Sequence, residues 1–94
     1  MTPAQPIVKK QRLDEQHVLH MRQSHGPGDI GMPPGTGIDD WVCWVADNDN
    51  RPVPGAWQKV GRGDYQESFW TDAQKWAKGW LKVVAEGHGS KLRL

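Results

Sequence analysis

The segment Thr71 to Gly87 constrains the fold more than any other part of this chain. Thr71 and Gln74 have the spacing of a capping box, in which two side chains satisfy free backbone donors at a helix start. Asp72 follows in the first turn, where a negative charge suits the positive end of the helix dipole. Gly87 lies where a left-handed C-terminal cap is expected. Between these ends Ala73, Trp76, Ala77, Trp80, Leu81 and Val84 fall on one face and Gln74, Lys75, Lys78 and Lys82 on the other. Such an amphipathic helix is stable only against an apolar partner, and the preceding residues supply it.

Trp41–Ala46 reads as a strand, with Trp41, Cys43 and Val45 on one side and Val42, Trp44 and Ala46 on the other. Both sides are apolar, so the strand is either covered twice or leaves one face for binding. Asp47–Asn50 predicts a polar turn, and Pro54-Gly55 suits the centre of a type II turn. Ala56–Val60 reads as a second strand and Tyr65–Trp70 as a third, joined by Gly61-Arg62-Gly63-Asp64. Short connections make the three an antiparallel meander. Lys91–Leu94 alternates and would suit a short edge strand.

Upstream, residues 1–5 read as a flexible terminus. A helix from Pro6 to about Ser24 would group Ile7, Val8, Val18, Leu19 and Met21, with Leu13 outside the group. The competing reading makes His17–Arg22 a short strand. Residues 25–38, rich in Gly and Pro, form a long loop. The expected fold is therefore a small single α+β domain over 6–94, ordered α-β-β-β-α. All six Trp of this 94-residue chain lie from Trp41 onward, which places most of the core in 41–86.

Twelve basic and eleven acidic residues give a formal charge of +1, so no global field draws nucleic acid or an anionic membrane. A single Cys rules out an internal disulfide framework and suits a reducing compartment. No stretch has the length of a bilayer span or the apolar core of a signal peptide. The expectation is a cytoplasmic protein without a membrane partner.

Lys75, Lys78 and Lys82 would share an exposed helix face and could meet successive phosphates. Lys59, Arg62, Trp57 and Tyr65 would extend that patch from the sheet, provided they face the same side. Trp41 and Trp44 lie on opposite faces of one strand, so one stays exposed unless residues 6–24 or the Gly/Pro loop cover it. An exposed Trp serves as a protein-binding hot spot or stacks on unpaired bases. His17, His20 and His25 lie close in sequence, but no Cys pair or His-Glu-x-x-His pattern accompanies them, and they read as surface histidines. Asp47-Asn48-Asp49-Asn50 lacks the Gly and distal Glu of a calcium loop. Cys43 reads as an inert buried thiol. No catalytic constellation, metal site or cofactor site is expected.

The predicted order resembles that of double-stranded RNA-binding domains, and Lys75-Trp76-Ala77-Lys78 is similar to their basic helix patch. The Gly-rich loop and paired Lys that precede that patch in those domains are missing here. Phe69-Trp70-Thr71-Asp72-Ala73-Gln74-Lys75-Trp76-Ala77 resembles the strand-to-helix junction of the arm-binding domains of tyrosine-type integrases, which have a three-stranded sheet and final helix. Both resemblances imply a nucleic-acid-binding module and cover about half of the chain or less. In size and lack of catalytic motifs the chain also resembles accessory proteins of phages and mobile elements, including inhibitors of host defence complexes. The two readings are a non-enzymatic module that binds nucleic acid and one that binds a protein or nucleoprotein complex through Trp41 or Trp44. Self-association through an uncovered sheet edge or face is compatible with either.

Overall fold

The structure is a computed structural model. It describes residues 7–26, 32–33 and 35–93, with side chains through Val84; the expected flexible segment 1–5 lies outside the described residues. The elements are β1 (Val8–Arg12), β2 (Val18–Gln23), β3 (Asp40–Ala46), β4 (Pro52–Arg62) and α1 (Glu67–Arg93). The strands form one antiparallel sheet in the order β1-β2-β3-β4, and α1 packs on one of its faces.

This corrects the expected α-β-β-β-α order and its three-stranded meander. The N-terminal helix is replaced by a hairpin. Leu13, which no helical grouping absorbed, packs on the core; it shares the period-2 face of Leu19 and Met21. The hairpin turn carries no Gly or Pro. Asp14 builds it instead, with its carboxylate accepting from Gln16 N at 2.8 Å while Leu13 N donates to His17 O at 2.9 Å. The lysines of β1 suit an edge strand, because their charge discourages pairing with another sheet. The competing strand reading of His17–Arg22 matches β2.

The second correction concerns the expected third strand, Tyr65–Trp70. Its alternation of Tyr65, Glu67 and Phe69 is coincidental, because α1 starts at Glu67, one turn before the predicted capping box. Phe69, Ala73 and Ala77 repeat every four residues and are all buried. Thr71 is consequently inside the helix, where its hydroxyl donates back to Glu67 O at 3.3 Å. Gln74 caps nothing and donates instead to Gln11 Oε1 of β1 at 2.6 Å. The helix also passes Gly87 and includes Lys91–Arg93, so neither the C-cap nor the tail strand forms.

The expected strand Ala56–Val60 lies inside the longer β4. Pro54-Gly55 does not end a strand: it sits in β4, where Gly55 takes φ 77 at an irregularity opposite Trp44–Ala46. The Asp47–Asn50 turn forms as read, with Asn50 in the left-handed region at φ 65 and donating its N–H to Asp47 O.

The core lies between sheet and helix. Leu19 and Met21 of β2 join Trp41 and Cys43 of β3 and Phe69, Ala73 and Ala77 of α1, with Tyr65, Trp70 and Trp76 packed at the margins. The core therefore reaches upstream of residue 41.

Candidate functional site: the open face of the sheet

Strand alternation divides the sheet side chains between two layers. Cross-strand pairs place Lys9 and Gln11 with Met21 and Leu19, and these with Cys43 and Val45. That layer meets the helix. The other layer carries Val8, Lys10 and Arg12 of β1 and Val18, His20 and Arg22 of β2. From β3 and β4 it takes Val42, Trp44, Trp57 and Lys59. No helix covers it.

The described residues of the Gly/Pro loop lie at one end. Val42 is fully buried, and Lys59 Nζ donates to Gly35 O at 3.2 Å. Thr36 is buried and its hydroxyl donates to Pro33 O at 2.8 Å. Aromatic rings cross the rest of the layer, where His20 is buried, Trp44 half-buried and Trp57 exposed. His20 and Trp44, partners across β2 and β3, stack at 5.4 Å with their planes 7° apart. Trp57, the partner of Trp44 on β4, is 37% exposed. The Arg22 guanidinium lies 6.0 Å over the Trp44 ring, within range of a cation–π attraction. Val8, Lys10, His20, Arg22, Trp44, Asn50 and Pro52 together line a depression of about 250 Å³.

Within the four strands most charged side chains of this layer are cationic. Lys10, Arg12, Arg22, Lys59 and Arg62 belong to it, and Asp40 is the carboxylate within its strands. Asp40 stands at the loop-covered end. It accepts from Gly37 N at 2.8 Å and pairs with Lys59 Nζ at 3.3 Å. The Gly37 amide, then Lys59 and Arg62, hold its carboxyl below the usual range despite an opposing burial effect. Burial, and next the charge of Lys10, depress the pKa of His20. The layer thus combines cations and rings around a buried imidazole whose pKa is lowered.

The sequence-predicted residues divide between layers. Trp57 and Lys59 lie on the open layer with Trp44, and Arg62 pairs across from Asp40 at its end. Lys75, Lys78 and Lys82 are exposed on α1, on the far side of the sheet from Trp57 and Lys59, so the two basic sets do not form one patch. Tyr65 belongs to the helix side. Its ring meets Trp41 and Phe69 at 5.3 and 6.5 Å, its hydroxyl donates to Glu67 Oε2 at 2.9 Å, and Lys9 Nζ lies 5.5 Å over the ring. Trp41 is buried, and its indole N–H donates to Gly63 O at 2.7 Å. Of the two tryptophans on β3, Trp41 is buried and Trp44 half-buried.

Lys10 and Arg22 escaped sequence reading because they sat in the expected N-terminal helix, and His20, expected at the surface, is buried at 6% exposure because Trp44 packs on its ring. Their signal was alternation: His20 and Arg22 are two apart, as are Leu19 and Met21. The same alternation separates the histidines. His17 turns toward α1, where its ring meets Trp80 edge-on at 5.4 Å and Nδ1 pairs with Asp14 Oδ1 at 2.9 Å. His20 points the other way. Among the described residues no three His, Cys, Asp or Glu side chains gather as a metal site, and no helix is long and apolar enough to cross a membrane.

Burial pushes the Cys43 thiol up to about 12, so almost none is thiolate at neutral pH. Ellman's reagent should leave native protein unmodified over an hour and label one thiol per chain once it is denatured. Rapid labelling of the native state would contradict that burial.

Compared with known proteins, the chain matches no family model, no curated protein and no solved structure.

Proposed function

We propose that this protein is a non-enzymatic module, working inside the cell, that binds single-stranded nucleic acid across the open sheet face. The observation that carries this reading is the pair Trp44–Trp57 across β3 and β4, in which Trp57 is 37% exposed, with Lys10 and Arg22 on the same layer. Unpaired bases stack on aromatic rings whatever their sequence, while flanking cations track the backbone. A duplex keeps its base faces stacked inside and cannot use such a pair. The depression also favours a polymer. At about 250 Å³ it is smaller than the roughly 300–1,000 Å³ of pockets that enclose a small molecule. It fits one part of a longer ligand.

The test is fluorescence anisotropy with a labelled dodecamer of deoxythymidine and a labelled duplex of the same length. The single strand should bind more tightly, with log Kd depending on log salt with a slope of about 2, as expected for two to three neutralised phosphates. Trp57→Ala should weaken binding about tenfold, since one base–aromatic stack contributes roughly 1–3 kcal/mol. A triple Lys75, Lys78 and Lys82 to Ala variant should bind within about twofold of wild type, because those side chains lie on the other layer. Equal affinity for the duplex, or loss of binding in the triple variant, would move the interface to α1. Absence of binding near 50 mM salt would favour the protein-partner reading, in which Trp44 and Trp57 dock an inhibitor or adaptor onto its target.

A further inference from the structure

We propose that β4 is a docking edge for a second copy of this chain, and that two copies join there antiparallel about a two-fold axis at Gln58. The inference does not depend on the ligand of the open layer.

The sheet has two edges, and they are built differently. β1 carries Lys9, Lys10 and Arg12 within five residues, a density of like charge that opposes pairing with another strand. β4 is the longest strand, with 11 residues, and between Val53 and Gly61 its one charged residue is Lys59. That charge is turned inward: Nζ pairs with Asp40 Oδ2 at 3.3 Å and donates to Gly35 O at 3.2 Å. Pro52 and Pro54 guard the first part of the strand, since proline offers no donor. Beyond Gly55, which takes a left-handed φ, the run Trp57, Gln58 and Lys59 is exposed on both layers. β3 occupies one side of this run, and alternate N–H and C=O groups point to the other. Among the described residues no turn or loop backbone bonds to residues 55–60. The helix leaves this edge clear. It starts where Phe69 sits over Gly61 and crosses to β1, where Gln74 meets Gln11.

Charge selects the register. Like charges directly opposite are unfavourable, which disfavours an axis at Lys59. An axis at Trp57 sets Lys59 against Gly55, where the backbone leaves the extended region. An axis at Gln58 sets Trp57 against the second copy's Lys59, twice and on the same layer. Each indole then covers the stem of a lysine whose charge Asp40 already holds. The contact is isologous and closed. It consumes both β4 edges and leaves the charged β1 edges outside, so assembly stops at two.

Sedimentation equilibrium of the wild-type protein from about 10 μM to about 1 mM, the range of a weak interface, should show one chain becoming two. Trp57→Glu should dimerise about tenfold more tightly than Trp57→Lys, because two cross-strand charge pairs change sign. Gln58→Cys reads the axis directly. Opposed residues of an antiparallel pair have Cα atoms about 4.5–5.5 Å apart, within the span of a disulfide. Copper-phenanthroline oxidation should link Gln58→Cys into a dimer and leave Lys10→Cys, on the other edge, as single chains. The buried Cys43 takes no part. A single-chain mass at the highest concentration, equal dimerisation of the two Trp57 variants, or cross-linking through Lys10→Cys would overturn the proposal.

Discussion

Trp41→Ala should lower folding stability by about 4 kcal/mol, the range for emptying a large aromatic site in a core. Trp41 is 3% exposed and lies against Tyr65 at 5.3 Å and Phe69 at 6.0 Å. Its indole N–H donates to Gly63 O, which also accepts from Gln23 Nε2, both at 2.7 Å. That carbonyl ties β2, β3 and the turn into α1 together. Removing the ring opens a cavity among three elements and leaves the turn held by one side chain fewer. Trp41→Phe, which keeps the ring packing but loses the donor, should cost about 1–2 kcal/mol. Trp57→Ala, made at an exposed position, should change stability by about 0.5 kcal/mol or less while weakening ligand binding. Urea denaturation of the three variants measures all of this. A Trp41→Ala variant as stable as wild type would mean that the helix does not seat where described. For a chain of this size with roughly 5–15 kcal/mol of total stability, a 4 kcal/mol loss is visible as a large fall in the denaturation midpoint.

Gly61→Ala should be nearly as damaging, by about 3 kcal/mol, for the opposite reason. A Cβ at Gly61 would run into the ring of Phe69. Phe69 is buried against Trp41 and Tyr65 and cannot swing away without disturbing both. The strand is bulged here: Gly61 pairs with Trp41 while Lys59 pairs with the next residue, Val42, so Val60 is the extra residue. The bulge and the missing side chain together let the first turn of α1 approach the sheet. Gly61→Ala combined with Phe69→Leu should recover part of the loss, a coupling that a double-mutant cycle reads directly. Gly79→Ala is the control. A Cβ there meets nothing within 4 Å, and in a helix interior Ala should stabilise by about 0.5–1 kcal/mol. If Gly61→Ala is as harmless as Gly79→Ala, the contact between Phe69 and β4 is wrong.

Much of this architecture was legible where one period dominated. Trp41–Ala46 is an unbroken apolar run bounded by turn residues and lies in β3. The lysines of Lys75, Lys78 and Lys82 face water as their spacing requires. Errors arose where a residue satisfied two periods at once. Phe69 ends an apparent strand at period 2 and begins the helical repeat that continues through Ala73 and Ala77; tertiary contact with Gly61 and Trp41 decides for the helix. Ile7, Val8, Val18, Leu19 and Met21 can be drawn on one helical face, but a hairpin buries Leu13, Leu19 and Met21 together and places the charged residues at an edge. A local pattern cannot weigh that burial, because the partner strand β3 lies beyond a long loop.

The candidate site was half visible. Trp44, Trp57 and Lys59 were recognisable as residues with binding chemistry, whereas Lys10, His20 and Arg22 joined them only through the pairing of β1, β2 and β3. The chain's letters alone determine that β3 has two apolar faces and that the C-terminal helix has one. They do not determine which face of β3 meets the helix, because alternation in a single strand is symmetric about its own plane. Tertiary structure breaks that symmetry. Leu19 and Met21 pair opposite Val45 and Cys43, Gly61 admits Phe69, and the helix buries that side. His20, Trp44 and Trp57 are left on the other side.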